Sequence, residues 1–208
     1  MSTQQLIAEG VAAMGLDLPR DAQDKLAAYL DLMSKWNRVH NLTAVRETED
    51  MVTLHILDSL SVLPHIEGAK HMVDVGTGAG LPGIPVAIAR PGMRVTLLDS
   101  SHKKCAFLEQ AKAELGLGNV SVVCARVEEW KPGAGFDAVV SRAFSDLADF
   151  VAQAKHLLAP GGRLVAMKGV YPFEEIARLP SSHKVAEVVE LRVPKLDARR
   201  HVVLVEAA

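Results

Sequence analysis

From residue 71 to residue 167, short β-branched runs alternate with stretches of helical periodicity, and this alternation most restricts the fold open to the chain. Residues 71–75, 94–98, 120–124, 136–141 and 162–167 read as strands, and residues 84–90, 102–115 and 146–158 as the helices between them. Strands separated by helices of this length form βαβ units, which give a parallel sheet covered on both faces. With 208 residues, 49% of them hydrophobic, the chain can bury one substantial core and a small appendage, not two full domains.

The two ends depart from the alternation. Residues 3–14 read as a helix ended by Gly15, and Pro19 precedes a longer one in which Leu26, Tyr29, Leu30, Met33 and Trp36 recur at three-and-four spacing. Residues 48–63 read as helical, stopped by Pro64. Residues 1–67 are therefore expected to form a helical extension packed on a core of residues 68–208. At the other end, residues 184–193 and 200–206 are strand-like and are joined through residues 195–198 with no helix between them, the pattern of an antiparallel hairpin.

The segment Asp74-Val75-Gly76-Thr77-Gly78-Ala79-Gly80-Leu81-Pro82-Gly83 follows the first strand and opens a helix, the setting in which a glycine-rich turn binds a nucleotide. Its register argues against a dinucleotide, whose third glycine would fall three residues after Gly78, at Leu81. Asp99 ends the second strand, where its carboxylate can accept both ribose hydroxyls. Asp74, just before the glycines, can reach a ligand ammonium directly or through water. Carboxylates on both sides of a site repel a pyrophosphate and suit a sulfonium, so S-adenosylmethionine is favoured over a nicotinamide cofactor. Gly76, Gly78, Gly80 and Leu81 line the expected site. Val127 and Glu128 follow the third strand, where an adenine would lie, and Arg142 follows the fourth, in reach of either a methionine carboxylate or a target base. A sheet that is mostly parallel and ends in an antiparallel hairpin is the α/β, Rossmann-like arrangement of class I methyltransferases.

A net charge of −2 gives no global attraction to nucleic acid, so any such binding must be local. No apolar run approaches the roughly 20 residues of a membrane span, and the first ten residues lack the pattern of a secretory signal, which points to the cytoplasm. Cys105 and Cys124 have no metal-ligand spacing, so no metal is expected.

Taken in order, Asn41-Leu42-Thr43-Ala44, His55-Ile56-Leu57-Asp58-Ser59-Leu60, the block from Asp74 to Pro85, Leu97-Leu98-Asp99-Ser100, Arg126-Val127-Glu128-Glu129, Ser141-Arg142-Ala143-Phe144 and Met167-Lys168-Gly169 resemble the ribosomal RNA small subunit methyltransferase G family, also called glucose-inhibited division protein B. The resemblance runs from about residue 25 to residue 206. It implies N7 methylation of a guanine in 16S ribosomal RNA, within the small ribosomal subunit. It implies cofactor contacts at Gly76, Leu81, Val127, Glu128 and Arg142, and support of the RNA or target base by Asn41, His55, Arg126, Lys168 and Arg200. Guanine N7 carries a free lone pair and no proton, so Arg142 and Lys168 would position the reactants and no general base is expected. From the residues alone, His55 reads more readily as a structural histidine than as an RNA contact, and Asn41 as a helix end; with the resemblance the two readings of His55 weigh about evenly. A methyltransferase of a small metabolite or protein, and an RNA-binding scaffold without turnover, remain open at this level.

Overall fold

The computed structural model describes residues 1–144 and 146–208. Seven strands, β1 (His71–Val75), β2 (Arg94–Asp99), β3 (Val120–Cys124), β4 (Phe136–Ser141), β5 (Leu158–Lys168), β6 (His183–Leu191) and β7 (Arg200–Ala207), form one sheet in the order β3-β2-β1-β4-β5-β7-β6. The pairs among β1 to β5 are parallel, and β7 pairs antiparallel with both β5 and β6. The fold is the expected mixed sheet with a C-terminal antiparallel hairpin. The chain order reverses between β1 and β4, which opens a crevice at the strand carboxyl ends.

Strand alternation builds two cores. Along β5, Val165 and Met167 face one side while Leu164 and Ala166 face the other, and along β7 Val202 and Leu204 oppose Val203 and Val205. Helices α1 (Thr3–Ala13), α2 (Arg20–His40), α5 (Gly83–Ala89) and α6 (His102–Leu115) cover the first side. Helix α7 (Leu147–Ala154) covers the second through Leu147, Phe150 and Val151. The N-terminal helices thus share one apolar cluster with the sheet, reaching from Leu6 to Leu204.

One contact ties that layer to the glycine-rich turn. Tyr29 of α2 is fully buried, and its hydroxyl donates to the Ala79 carbonyl at 2.5 Å. Burial raises the phenol pKa well above its usual value, so the tyrosine stays a donor. Tyr29→Phe leaves that carbonyl without its donor in a dry site and is expected to cost about 1–3 kcal/mol in urea denaturation. An unchanged midpoint would show that the bond contributes nothing.

Three segments depart from the sequence pattern. The expected helix over 48–63 is α3 (Thr48–Met51), a π-helical stretch (Val52–Leu57), α4 (Asp58–Leu60) and then a 3-10 turn (Leu63–Ile66). Helix α7 is shorter than expected, and β5 begins at Leu158 rather than at residue 162. Leu158 pairs with Phe136, and Arg163 with Ala138, so a bulge carries the strand through Pro160, Gly161 and Gly162. Helix α8 (Phe173–Ala177), too short for its periodicity to register, follows β5.

Candidate active site

The turn after β1 is held from within. Asp74 is buried, and its Oδ2 accepts from Thr77 Oγ1 at 2.6 Å and from the Gly83 amide at 2.7 Å. A Cβ at Gly83 would run into the Leu97 side chain and lie 2.9 Å from Asp74 Oδ2, so glycine lets the helix start sit close to β2 and to the Asp74 carboxylate. Burial raises the Asp74 pKa to about 7. Among the described residues its Oδ1 is buried without a hydrogen-bond partner, which is costly unless a ligand or water group reaches it.

Asp99 closes the opposite wall. Its Oδ2 accepts from the Gly78 amide at 2.9 Å and its Oδ1 from the Ser101 amide at 2.9 Å, with Lys104 Nζ 3.9 Å away. A carboxylate has about four acceptor positions, so roughly two remain for a diol. Gly76, Asp99, Lys104, Arg126, Val127, Glu128, Ala143 and Phe144 are among the residues around a cleft of about 360 Å³. Gly76 takes φ +66°, and a Cβ there would lie 2.8 Å from Ala143 Cβ, closing the cleft against its far wall. Gly80 and Leu81 shape the turn from beneath: Leu81 is buried, and neither residue lines the cleft.

Arg142, just past β4, faces a second cleft of about 180 Å³, shared with Asp58, Met167, Lys168, Gly169, Leu191, Arg200 and His201. Its Nη1 lies 3.0 Å from Asp58 Oδ2 and 3.3 Å from the Leu54 carbonyl. Arg200 Nε donates to the other Asp58 oxygen at 3.1 Å. Burial raises the Asp58 pKa, opposed by the two arginines. The π-helical stretch makes this possible: the Asp58 amide bonds to Thr53, five residues back, instead of Leu54, and the Leu54 carbonyl serves Arg142. Among the described residues, Arg142 Nε and Nη2 have no protein partner, so this guanidinium, which lines the cleft, has donors to spare.

Other expected residues are placed differently. Lys168 was expected to meet phosphate or base, but it is 9% exposed and its Nζ donates to the Phe144 carbonyl at 3.0 Å and to Glu175 at 2.7 Å. It is a strut that fixes the end of β4 against α8. Arg126 stands on the rim of the larger cleft, 3.6 Å from Glu128, away from the other residues expected to meet RNA. Asn41 caps α2 in the left-handed conformation and accepts from Arg46, lining neither cleft. Sequence reasoning missed Asp58 as a site residue; its signal was a carboxylate on an apolar helix face, three positions after His55.

His55 is buried, with Nε2 2.9 Å from Thr43 Oγ1, so it faces inward rather than toward RNA. Burial and, secondarily, the Arg142 charge lower its pKa to about 4. The unfolded chain therefore binds this proton more tightly than the folded one, so the stability that neutral His55 contributes is present above the unfolded pKa near 6.5 and is lost as pH falls toward 4. Asp74, whose pKa is raised, acts with the opposite sign, losing its contribution as pH rises from its ordinary range through about 7. Urea titrations comparing the natural protein with His55→Gln cancel the Asp74 effect. Between pH 7 and pH 5 the natural protein is expected to lose on the order of 1–2 kcal/mol more than the variant, and parallel pH profiles would contradict this.

A larger cavity of about 540 Å³, lined by Lys25, Ala89, Arg94, Leu117 and Asn119 among others, lies away from both clefts and contains none of these groups. The chemistry gathers at the strand carboxyl ends, where open α/β sheets bind their ligands.

A family model described as rRNA small subunit methyltransferase G matches residues 22–203. A Nitrosospira multiformis protein named ribosomal RNA small subunit methyltransferase G is 56% identical, covering 100% of this chain and 99% of that protein. A Neisseria meningitidis serogroup B protein of the same name is 54% identical, with 98% of each chain covered. In fold, the chain is similar to the O-methyltransferase TomG from Streptomyces achromogenes, with a TM-score of 0.63, 17% identity and coverage of 100% of this chain and 99% of that one. On the family match and the full-length likeness to these relatives, the chain belongs to the rRNA small subunit methyltransferase G family.

Proposed function

We propose that this chain transfers the methyl group of S-adenosylmethionine to N7 of a guanine in 16S ribosomal RNA. The observation that carries the reading is a shared wall. Ala143 and Phe144 border the larger cleft, while Arg142 of the same segment borders the smaller one, so two ligands would meet across the end of β4. Residues 68–208 would hold the cofactor, and residues 1–67 would act as a helical extension that supplies Asp58 and the Leu54 carbonyl.

The larger cleft suits the cofactor. Asp74 lies beneath the turn rather than on the cleft wall, and its buried Oδ1, without a partner among the described residues, would serve the ligand ammonium through water. Asp99 retains acceptor positions for ribose hydroxyls, and Val127 offers an apolar surface to adenine. S-adenosylmethionine supplies an electrophilic methyl on a sulfonium. Because N7 needs no deprotonation, the protein's task is alignment. Arg142, braced by Asp58, is placed to donate to guanine O6 or to the cofactor carboxylate. Asp58 and Arg200 keep its edge aimed, and Lys168 keeps the wall in place.

With a net charge of −2 the chain has little to hold naked RNA, so the substrate is proposed to be the small ribosomal subunit, in the cytoplasm. None of the helices is long and apolar enough to cross a membrane, among the described residues. The test is incubation with methyl-labelled S-adenosylmethionine and small subunits from cells lacking this gene. Label is expected in the RNA, faster than in naked 16S RNA. If no label enters the RNA, the reading fails; equal rates on both substrates would remove the assembled-subunit part.

A further inference from the structure

Among the described residues, five large hydrophobic side chains are strongly exposed, and three of them, Val170 (75%), Tyr171 (39%) and Phe173 (74%), crowd into four positions after β5. Exposed apolar surface gathered in this way, beside a polar site, marks a contact surface. The loop is held in place from several sides. His201 Nδ1 lies 2.9 Å from the Gly169 carbonyl, the Phe173 amide donates to the Tyr171 carbonyl, and Glu175 in the following helix takes both Lys168 and the Leu147 amide. The Tyr171 and Phe173 rings sit 4.2 Å apart at 38°, and Tyr171 meets the His201 ring at 83° across 5.7 Å. His201 is buried and lines the smaller cleft with Arg142 and Arg200. In that cleft two guanidinium groups share the single Asp58 carboxylate, and Lys168 is balanced by Glu175, which leaves one positive charge in excess.

We propose that Tyr171 and Phe173 form a stacking platform for an unpaired base of the substrate RNA, next to the target guanine. The assignment rests on the RNA reading above and adds a binding site to it. An excess cation beside exposed ring faces is the combination that binds single-stranded RNA: the charge meets the phosphates, and a ring accepts the face of any base. A protein partner would have to bring carboxylates to the cleft, and it would accept leucine where a base needs a ring.

Phe173→Ala removes mostly exposed surface, while Tyr171→Ala also gives up a contact with the His201 ring, so thermal melting checks that each variant stays folded. Each is expected to raise KM for small subunits about ten- to a hundredfold, with kcat and the affinity for S-adenosylhomocysteine little changed. Phe173→Tyr and Tyr171→Phe keep a ring and should stay within about threefold of the natural KM, whereas Phe173→Leu, apolar but flat-faced no longer, should behave like Phe173→Ala. An unchanged KM in the doubly substituted Tyr171→Ala, Phe173→Ala protein overturns the platform. So does rescue by leucine, which would indicate plain apolar docking as on a protein, and so does a parallel loss of cofactor affinity. Activity of the natural protein on small subunits is the control: if present, these outcomes judge the platform alone, and if absent, the RNA reading falls and the platform with it.

Discussion

Replacing Arg142 by alanine is expected to lower turnover on small subunits by about a hundred- to a thousandfold, the range seen when one positioned donor is removed from a reacting centre. The guanidinium spends Nη1 on Asp58 and Leu54 and, among the described residues, leaves Nε and Nη2 without a partner, so it is both anchored and available. Arg200 still holds the other oxygen of Asp58, so the buried carboxylate keeps one partner and the fold survives. Arg142→Lys should recover little, because an ammonium cannot brace against Asp58 and present a planar donor edge at once. Rates on small subunits, taken alongside a melting curve, decide the point. Full activity in Arg142→Ala would remove this residue from the site.

Asp99→Ala should weaken S-adenosylhomocysteine binding by at least about a hundredfold, since hydrogen bonds to a charged group contribute roughly 1.5–3 kcal/mol each. The carboxylate acts twice. It holds the Gly78 and Ser101 amides, which set the shape of the turn and the start of α6, and it faces the cleft with its remaining acceptor positions. Asp99→Asn strikes both roles in part, because whichever oxygen becomes an amide nitrogen loses its backbone donor and can no longer accept from a hydroxyl. Its affinity should fall about tenfold or more while the fold is kept. Calorimetric titration reads both variants, and an affinity equal to that of the natural protein would place the ribose elsewhere.

The parts of this molecule that were legible in the sequence are those governed by local pattern. Five parallel strands and the closing hairpin follow from alternating β-branched runs and from the missing helix between residues 193 and 200. The turn residues were legible because glycine is needed where the backbone takes positive φ or where another strand presses close, as at Gly76 and Gly83. What stayed hidden depends on contacts distant in sequence. Nothing local distinguishes the π-helical stretch from an ordinary helix, yet it frees the Leu54 carbonyl and brings Asp58 to an arginine 84 residues away. Lys168 and His55 were assigned to RNA by the family resemblance, and Lys168 also by its place after the fifth strand. Their neighbours, Glu175 and the Phe144 carbonyl for one and Thr43 for the other, turn them to structural work. Asp74 lies between these cases: its position was legible, but its use of one oxygen as the internal bracket of the turn was not.

The central claim, methyl transfer to guanine N7 in small-subunit RNA, is tested most directly by locating the transferred methyl within the RNA. An N7-methylated guanosine carries a positive imidazolium ring that borohydride reduces at C8, which labilises the glycosidic bond; loss of the base leaves an abasic ribose at which an amine breaks the strand by β-elimination. Small subunits from cells lacking the gene, methylated by the purified protein and treated in this way, are expected to give cleavage at a single guanine in 16S RNA that is absent without the protein and without S-adenosylmethionine. Label incorporated with no such cleavage, or incorporated into ribosomal protein, would contradict the account.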